Sequence, residues 1–276
     1  MGSSLDARRR LATLSSWRRT NSMMGYLRFG MRSLLFKFYW KLEKLFFPAL
    51  KYSQYHYYET LKRAVPAQCA WLDLGCGHQM FASWMTAEEQ EVAGRAVMLT
   101  GIDLDWEGLR ANPFVSARVL GTLESLPFRA EAFDLATANM VVEHLRRPPA
   151  VLQEVYRVLR PGGLLILHTP NRNAVMIRIA AGMPQSMKNL LARLLEGRKA
   201  EDVFPAFYRM NTPAAIEQIA AASGFRVQQV YSISSSAVTA LLGPVAIVEL
   251  LYLRLLEANR FRNYRSNLIA VLQKAA

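Results

Sequence analysis

Two cysteines in 276 residues, Cys69 and Cys76, are too few for a disulfide framework, and their spacing is not that of a zinc site. Such sparing use fits a reducing, cytoplasmic compartment. Acidic residues are also scarce, 21 Asp and Glu against 34 Lys and Arg, and the net charge is +13. The imbalance is local. Residues 1–65 carry 13 basic residues against Asp6, Glu43 and Glu59, so +10 of the charge belongs to the first quarter of the chain. No uninterrupted apolar span is present: the greasiest stretch, 237–256, is broken by Gly243-Pro244 and contains Glu249 and Arg254. A secretory leader is not evident, and Asp6 stands where a myristoylation signal wants Ser or Thr. Internal repeats are absent. Hydrophobic residues make up 52% of the chain, which excludes a mainly disordered protein, and the length suits one large α/β domain with some decoration.

What is present centres on Cys69-Ala-Trp-Leu-Asp-Leu-Gly-Cys-Gly-His78. An apolar strand ends near Asp73 and runs into a turn with Gly75 and Gly77 two apart, where backbone can approach a ligand without a Cβ in the way. Dinucleotide-binding turns want a third glycine three residues further on, and Met80 stands there. A tight turn without any ligand is the plain alternative. Residues 78–85 are expected to form a helix with its N-terminus aimed at the ligand. A second strand, 97–103, ends on Gly101-Ile-Asp-Leu-Asp105; Asp103 is placed to accept hydrogen bonds from ribose hydroxyls, and Asp105 to cap the next helix. Short strands follow at 117–120 and 133–139, then a helix at 149–159, a strand at 164–168, a helix opened by Thr212-Pro213, and strands at 225–232 and 267–273.

The Asp-x-Gly-x-Gly turn resembles the first motif of class I S-adenosylmethionine-dependent methyltransferases. Leu126-Pro-Phe128, Phe133-Asp134 and Leu159-Arg-Pro-Gly-Gly163 are similar to signatures of the methyltransferase type 11 family. The resemblance covers about residues 71–273. It implies an α/β, Rossmann-like doubly wound sheet of seven strands with the last antiparallel, and S-adenosylmethionine as cofactor. Carried over to this sequence, it implies Asp73 at the ammonium end of the cofactor and Gly75, Cys76 and Gly77 along the methionine and ribose. Asp103, followed by Leu104, would take the ribose, Thr122 and Leu123 the adenine side, and Ala138 and Asn139 the floor beside the methyl group. Thr122 departs from the family, which usually has Asp there, so Thr122, Leu123, a backbone carbonyl or Glu124 must serve the adenine.

Val141-Val-Glu-His144 resembles the acid–His pair of quinone-biosynthesis O-methyltransferases, in which a further upstream Glu helps hold a metal; Met140 occupies that place, so no metal is expected. His144 is a candidate general base or a histidine that packs near the cofactor, and His168, at the carboxyl end of a strand, is a second candidate base or a hydrogen-bonded structural group.

Two decorations surround this body. Residues 1–65 form a basic extension in which 24–47 read as one helix, with Leu27, Met31, Leu34, Leu35, Phe38, Leu42, Leu45 and Phe46 at three-and-four spacing among Arg and Lys. Such a helix lies in a membrane interface or packs as a lid. The aromatic cluster Tyr52, Tyr55, His56, Tyr57 and Tyr58 covers the cofactor's methionine end or fills a seam before the main domain, 66–276. Residues 172–211, rich in Met and Leu, read as a helical insertion over the substrate. Neither the Asn/Asp-Pro-Pro-aromatic motif of adenine-methylating enzymes nor the Pro-Cys nucleophile of cytosine-C5 enzymes is present, which disfavours nucleic acid. The expected activity is methyl transfer to a small, hydrophobic or lipid-linked acceptor, with a cytoplasmic protein touching the inner, anionic membrane face. The competing expectations are an RNA-methylating enzyme and a non-catalytic binding protein on the same fold.

Overall fold

In a parallel sheet whose two faces are both covered, an interior strand has no solvent side, and 69–74 read accordingly as an apolar run interrupted only by Asp73. A computed structural model of the protein describes residues 34–35, 37–48, 50–184, 205–235 and 245–276. The described residues between 51 and 235, with 254–276, make one unit; those of 34–50, with 245–253, make another.

The larger unit is built on β1 (Cys69–Leu74), all six residues buried. With β2 (Ala96–Asp103), β3 (Ala117–Leu120), β4 (Phe133–Asn139), β5 (Leu159–Pro170), β6 (Phe225–Ile233) and β7 (Asn267–Lys274), it forms a seven-stranded sheet in the order β3-β2-β1-β4-β5-β7-β6. The pairings from β3 through β5 are parallel, and β7 enters antiparallel between β5 and β6, as the sequence implied. The strand order reverses between β1 and β4, the place where open α/β sheets bind ligands beyond the carboxyl ends of their strands. Register sets Asp73 opposite Gly101 on one side and Thr137 on the other.

Helices cover both faces: α1 (Ser53–Ala64), α2 (Thr86–Ala93), α3 (Trp106–Ala111), α4 (Pro148–Val158) and, later in the chain, α6 (Pro213–Ala222), while α5 (Val175–Gly182) follows β5 and is largely exposed. One face buries Leu72, Ala136 and Leu165 with Val151, Leu152 and Ile216. The other buries Trp71, Leu135 and Ile166 with Tyr57, Leu61 and Phe81. Asp105 caps α3 by accepting from the Glu107 amide at 3.0 Å, and Thr212 caps α6 by accepting from the Ala215 amide at 3.2 Å.

Three expectations need correction. The helix expected at 78–85 does not form: residues 77–82 are a loop, Ser83–Met85 a short 3-10 turn, and the helix proper is α2. The carboxylate of Glu89 accepts the amides of Met80 (2.7 Å) and Phe81 (3.2 Å), which holds the loop open and supplies from a side chain the acceptor that a helix would draw from its own backbone. Residues 160–163 do not separate helix from strand. β5 begins at Leu159, opposite Phe133, and 160–163 bulge before Leu164 pairs with Leu135. The aromatic segment before the first strand is α1, and its Tyr57, Tyr58 and Leu61 belong to the core of the sheet-bearing unit, so that unit starts ahead of residue 66.

In the smaller unit, 37–46 are helical and end before Pro48, with the Phe47 amide donating to Glu43 O at 2.7 Å. The stripe it buries is Tyr39, Glu43 and Phe47, whereas Leu34, Phe38, Leu45 and Phe46 of the expected apolar face are exposed. The same unit holds most of α7 (Val245–Leu256), which buries Ala246, Glu249, Leu250 and Leu253. Residues 1–33 of the basic extension, and 185–204 of the expected insertion with Met187, Leu190, Leu191, Leu194 and Leu195, lie outside the described residues.

Gly101 shows how closely β2 sits under the glycine turn. A Cβ there would stand 2.5 Å from Cys76 Sγ and 2.8 Å from Val115 Cγ1. We expect Gly101→Ala to lower the stability of the protein by about 1–3 kcal/mol in urea denaturation.

Candidate functional site

β1 delivers Asp73 to the crevice, and its neighbours decide the state of that carboxylate. Side chains two apart on a strand share a face, so Trp71 and Asp73 look the same way, toward Thr137 of β4. The indole Nε1 donates to Thr137 Oγ1 at 2.7 Å, and the Thr137 hydroxyl donates to Asp73 Oδ1 at 2.7 Å. Asp73 is 2% exposed. Burial pushes its pKa up to about 8; the Thr137 hydrogen bond opposes this, and the nearby Glu89 and Asp103 carboxylates add to it. A deeply buried carboxylate flanked by carboxylates is a place where a cation is favoured.

The glycine turn follows. Gly75 and Gly77 have φ of +63° and +47°, left-handed values that side-chain-bearing residues rarely adopt. A Cβ at Gly75 would meet Val141 Cγ2 at 2.6 Å, whereas one at Gly77 would meet nothing within 4 Å, so the turn opens toward space at Gly77. Amides of Gly75 and Cys76 donate to Ile102 O at 2.8 and 3.3 Å, tying the turn to β2. Asn112, buried below it, donates to the carbonyls of Cys76 and Gly77, both at 3.3 Å.

Asp103 closes the other wall. Its Oδ2 accepts from the Gly77 amide at 2.8 Å and its Oδ1 from the Asp105 amide at 2.9 Å, which leaves acceptor capacity on both oxygens. Leu104 is exposed beside it. The Gly121 amide donates to Asp103 O at 3.0 Å, which sets the exposed Thr122 and half-buried Leu123 next to that wall. Glu124 does not reach in: its carboxylate pairs with Arg147.

From β4, Asn139 donates to Gln54 Oε1 at 3.0 Å and to Met80 O, so its Oδ1 accepts from His168 Nδ1 at 2.7 Å. That assignment leaves the proton on Nδ1 and the lone pair on Nε2, which is buried without a hydrogen-bond partner. His168 is fully buried and stacks on Tyr57, with ring centroids 5.3 Å apart. Burial, with His56 nearby, depresses its pKa to about 3. Such an imidazole stays neutral near pH 7.

His144 lies on the turn after β4, half-exposed, with Nδ1 2.9 Å from Pro205 O. Its Nε2 is 4.0 Å from Glu143 Oε1. Glu143 is buried, which raises its pKa, and its Oε2 accepts from Thr169 Oγ1 at 2.9 Å, which in turn accepts from Asn211 Nδ2 at 2.6 Å.

Asp73 with Thr137 and Trp71, the Gly75-Cys76-Gly77 turn with Asp103 and Asn112, and Asn139 with Met80 and His168 form three hydrogen-bonded sets at the carboxyl ends of β1, β2 and β4, with Leu104 following β2 and Thr122 and Leu123 following β3. Two side chains named from sequence point elsewhere. The Cys76 thiol is buried under Gly101, and burial pushes its pKa up, so only the backbone of Cys76 is available to a ligand. Ala138 faces the opposite side of the sheet from Asn139, into the core with Val151 and Leu152, because the strand alternates. Sequence reasoning missed Trp71 and Thr137, although each lies two positions before an acid or amide singled out on the same strand. Glu89 and Asn112 carried no signal beyond an acid in a helix and an amide before Pro113.

An open glycine turn, the Asp103 carboxylate with spare acceptor capacity and a buried carboxylate that a cation would neutralise together fit an adenosyl amino acid. They place the molecule in the class of Rossmann-like methyltransferases. Residues 41–230, more than half of the chain, match the model of the methyltransferase-domain family, and the protein belongs to that family.

Among its relatives is the ubiquinone biosynthesis O-methyltransferase of Psychrobacter arcticus, 28% identical over 178 residues, 61% of this chain and 63% of that one. Another is the malonyl-[acyl-carrier protein] O-methyltransferase of Serratia marcescens, 26% identical over 144 residues, 52% of this chain and 51% of that one. The chain therefore spans between half and two thirds of the length of these curated relatives. A solved S-adenosylmethionine-dependent methyltransferase from Methanosarcina mazei has the same fold, with a TM-score of 0.51, 17% identity, and coverage of 82% of this chain and 99% of that one. One from Mesorhizobium loti gives 0.50, 17%, 78% and 96%.

Because Asp73 holds its proton more tightly when folded than the unfolded carboxylate near 3.9 does, it contributes stability at low pH that is lost as pH rises toward 8. Asp73→Asn removes that titration while keeping an acceptor for Thr137. We expect the variant to gain on the wild type by up to about 1.4 kcal/mol per pH unit between pH 5 and 8, and to level off above, in urea denaturation without cofactor.

Proposed function

We propose that the protein transfers the methyl group of S-adenosylmethionine to an oxygen of a small, hydrophobic or lipid-linked organic acceptor. The observation that carries the reading is Asp73: a buried carboxylate fed by the Trp71–Thr137 relay, beside an open glycine turn and across from Asp103. Asp73 would hold the cofactor's ammonium group, the Gly77 backbone would admit its middle, Asp103 would take the ribose hydroxyls, and Leu104 and Leu123 would flank the base. The cofactor supplies an electrophilic methyl on a sulfonium, so the chain's task is alignment and exclusion of water.

An oxygen acceptor is supported by His144 and by the two relatives, both O-methyltransferases. A carbonyl only accepts, so the contact to Pro205 O puts the proton of a neutral His144 on Nδ1 and leaves Nε2 as the basic nitrogen. Nε2 would take the hydroxyl proton, and the Glu143 carboxylate, fixed by Thr169 and Asn211, would favour the imidazolium that results. An apolar acceptor is supported by α5, which follows the carboxyl end of β5 and exposes Val175, Met176 and Ile179.

Isothermal titration with S-adenosylmethionine tests the reading. A cation on Asp73 lowers its pKa from about 8, so binding at pH 7 should release protons. The apparent enthalpy would then differ between phosphate and Tris buffers, and Asp73→Asn would abolish the difference. Asp103→Ala should weaken binding at least tenfold. His144→Gln should leave the affinity unchanged and cut S-adenosylhomocysteine release in the presence of a catechol acceptor by about 100-fold or more. No binding by the wild type overturns the reading.

A further inference from the structure

We propose that the smaller unit is a membrane-interface anchor that seats the protein on an anionic lipid surface; this is independent of the acceptor that is methylated. The observation is a pair of helices apolar on the side turned to solvent as well as on the side turned inward. In the helical stretch at 37–46 the buried stripe is Tyr39, Glu43 and Phe47. The outward stripe keeps the same spacing: Leu34, Phe38 and Leu45 with Lys41 among them, and Leu34 and Leu45 are 68% and 76% exposed. In α7, Ala246, Glu249, Leu250 and Leu253 are buried, while Val245, Val248 and Leu251 lie outward, Val248 at 65% exposure. A helix with a second apolar stripe opposite its buried one is suited to a second apolar medium, because water on that side leaves the stripe unburied.

Length decides how a bilayer would supply it. α7 has twelve residues, about 18 Å at the usual rise, against a hydrocarbon core of about 30 Å. No helix among the described residues is long and apolar enough to cross a membrane. Over their described residues both helices therefore suit the boundary between headgroups and acyl chains, lying along it.

Charge decides against a second copy of the chain. Lys37, Lys41 and Lys44 are exposed on the first helix, and its one described acid, Glu43, is buried. A two-fold pairing through this face would set lysines against lysines, whereas anionic headgroups complement them. The long lysine stems can run over the apolar surface and deliver their ammonium groups to the headgroup level, with the exposed Trp40 ring at the same depth.

The test is flotation of the full chain with vesicles of phosphatidylcholine containing 30% phosphatidylglycerol, and with phosphatidylcholine alone. We expect binding that falls steeply between 50 and 300 mM salt and is much weaker on the neutral vesicles. Phe38→Asp/Leu45→Asp should abolish it. Lys37→Gln/Lys41→Gln/Lys44→Gln should weaken it about 100-fold, at roughly fivefold per lysine, and make the salt dependence shallower. Circular dichroism and S-adenosylmethionine affinity serve as controls for folding. Brominated acyl chains give a readout that needs no disruptive variant: they should quench tryptophan emission of the wild type, and less so in Trp40→Phe. Equal flotation of wild type and variants, no quenching, or a dimer in light scattering that the Phe38→Asp/Leu45→Asp change dissolves while vesicles are ignored would overturn the proposal.

Discussion

A carboxylate almost wholly removed from water, with one hydroxyl to hold it and two other carboxylates near, is the constraint on which the site depends. Asp73 sits there because β1 is an interior strand, paired on both edges and covered on both faces, and because the parallel register brings Thr137 alongside. The sheet order places the end of β1 where the winding reverses, which leaves a gap instead of a crossing connection above the strand. Burial raises the cost of the negative charge and the value of any cation that neutralises it. The same arrangement therefore favours a positively charged neighbour at Asp73 over a neutral one.

Around this point the structure spends its polar groups on holding backbone still. Glu89 fixes the amides of Met80 and Phe81, Asn112 the carbonyls of Cys76 and Gly77, and Asn139 reaches from β4 to Met80 O. Three elements that are distant in sequence therefore brace one loop. A loop pinned by side chains does not need helical continuation, which is why Thr86, and not His78, is where the helix begins.

Much of this was legible in the sequence because it depends on local pattern. β1, β3 and β4 fall at or next to the bounds that apolar runs and flanking turn residues indicated, and the caps at Asp105 and Thr212 were readable from residue type alone. What escaped was non-local. Met80, Phe81 and Met85 repeat at a spacing compatible with a helix, and nothing nearby announces that Glu89 has claimed the amides of Met80 and Phe81. Ala138 looked like a neighbour of Asn139, but the pleat sends the two side chains to opposite faces. For 37–46, apolar residues occupy so much of the circumference that periodicity could not say which stripe would be inward; Tyr39 and Phe47 took that side, and Leu34, Phe38 and Leu45 were left out.

The chain of donors from Trp71 through Thr137 to Asp73 has an optical consequence. An indole whose N–H is two hydrogen bonds from an ionisable carboxylate feels the local field change whenever that carboxylate gains or loses its proton. Trp71 is fully buried, so bulk solvent does not blur its emission. The protein thereby carries an intrinsic fluorophore coupled through Thr137 to the charge state of Asp73.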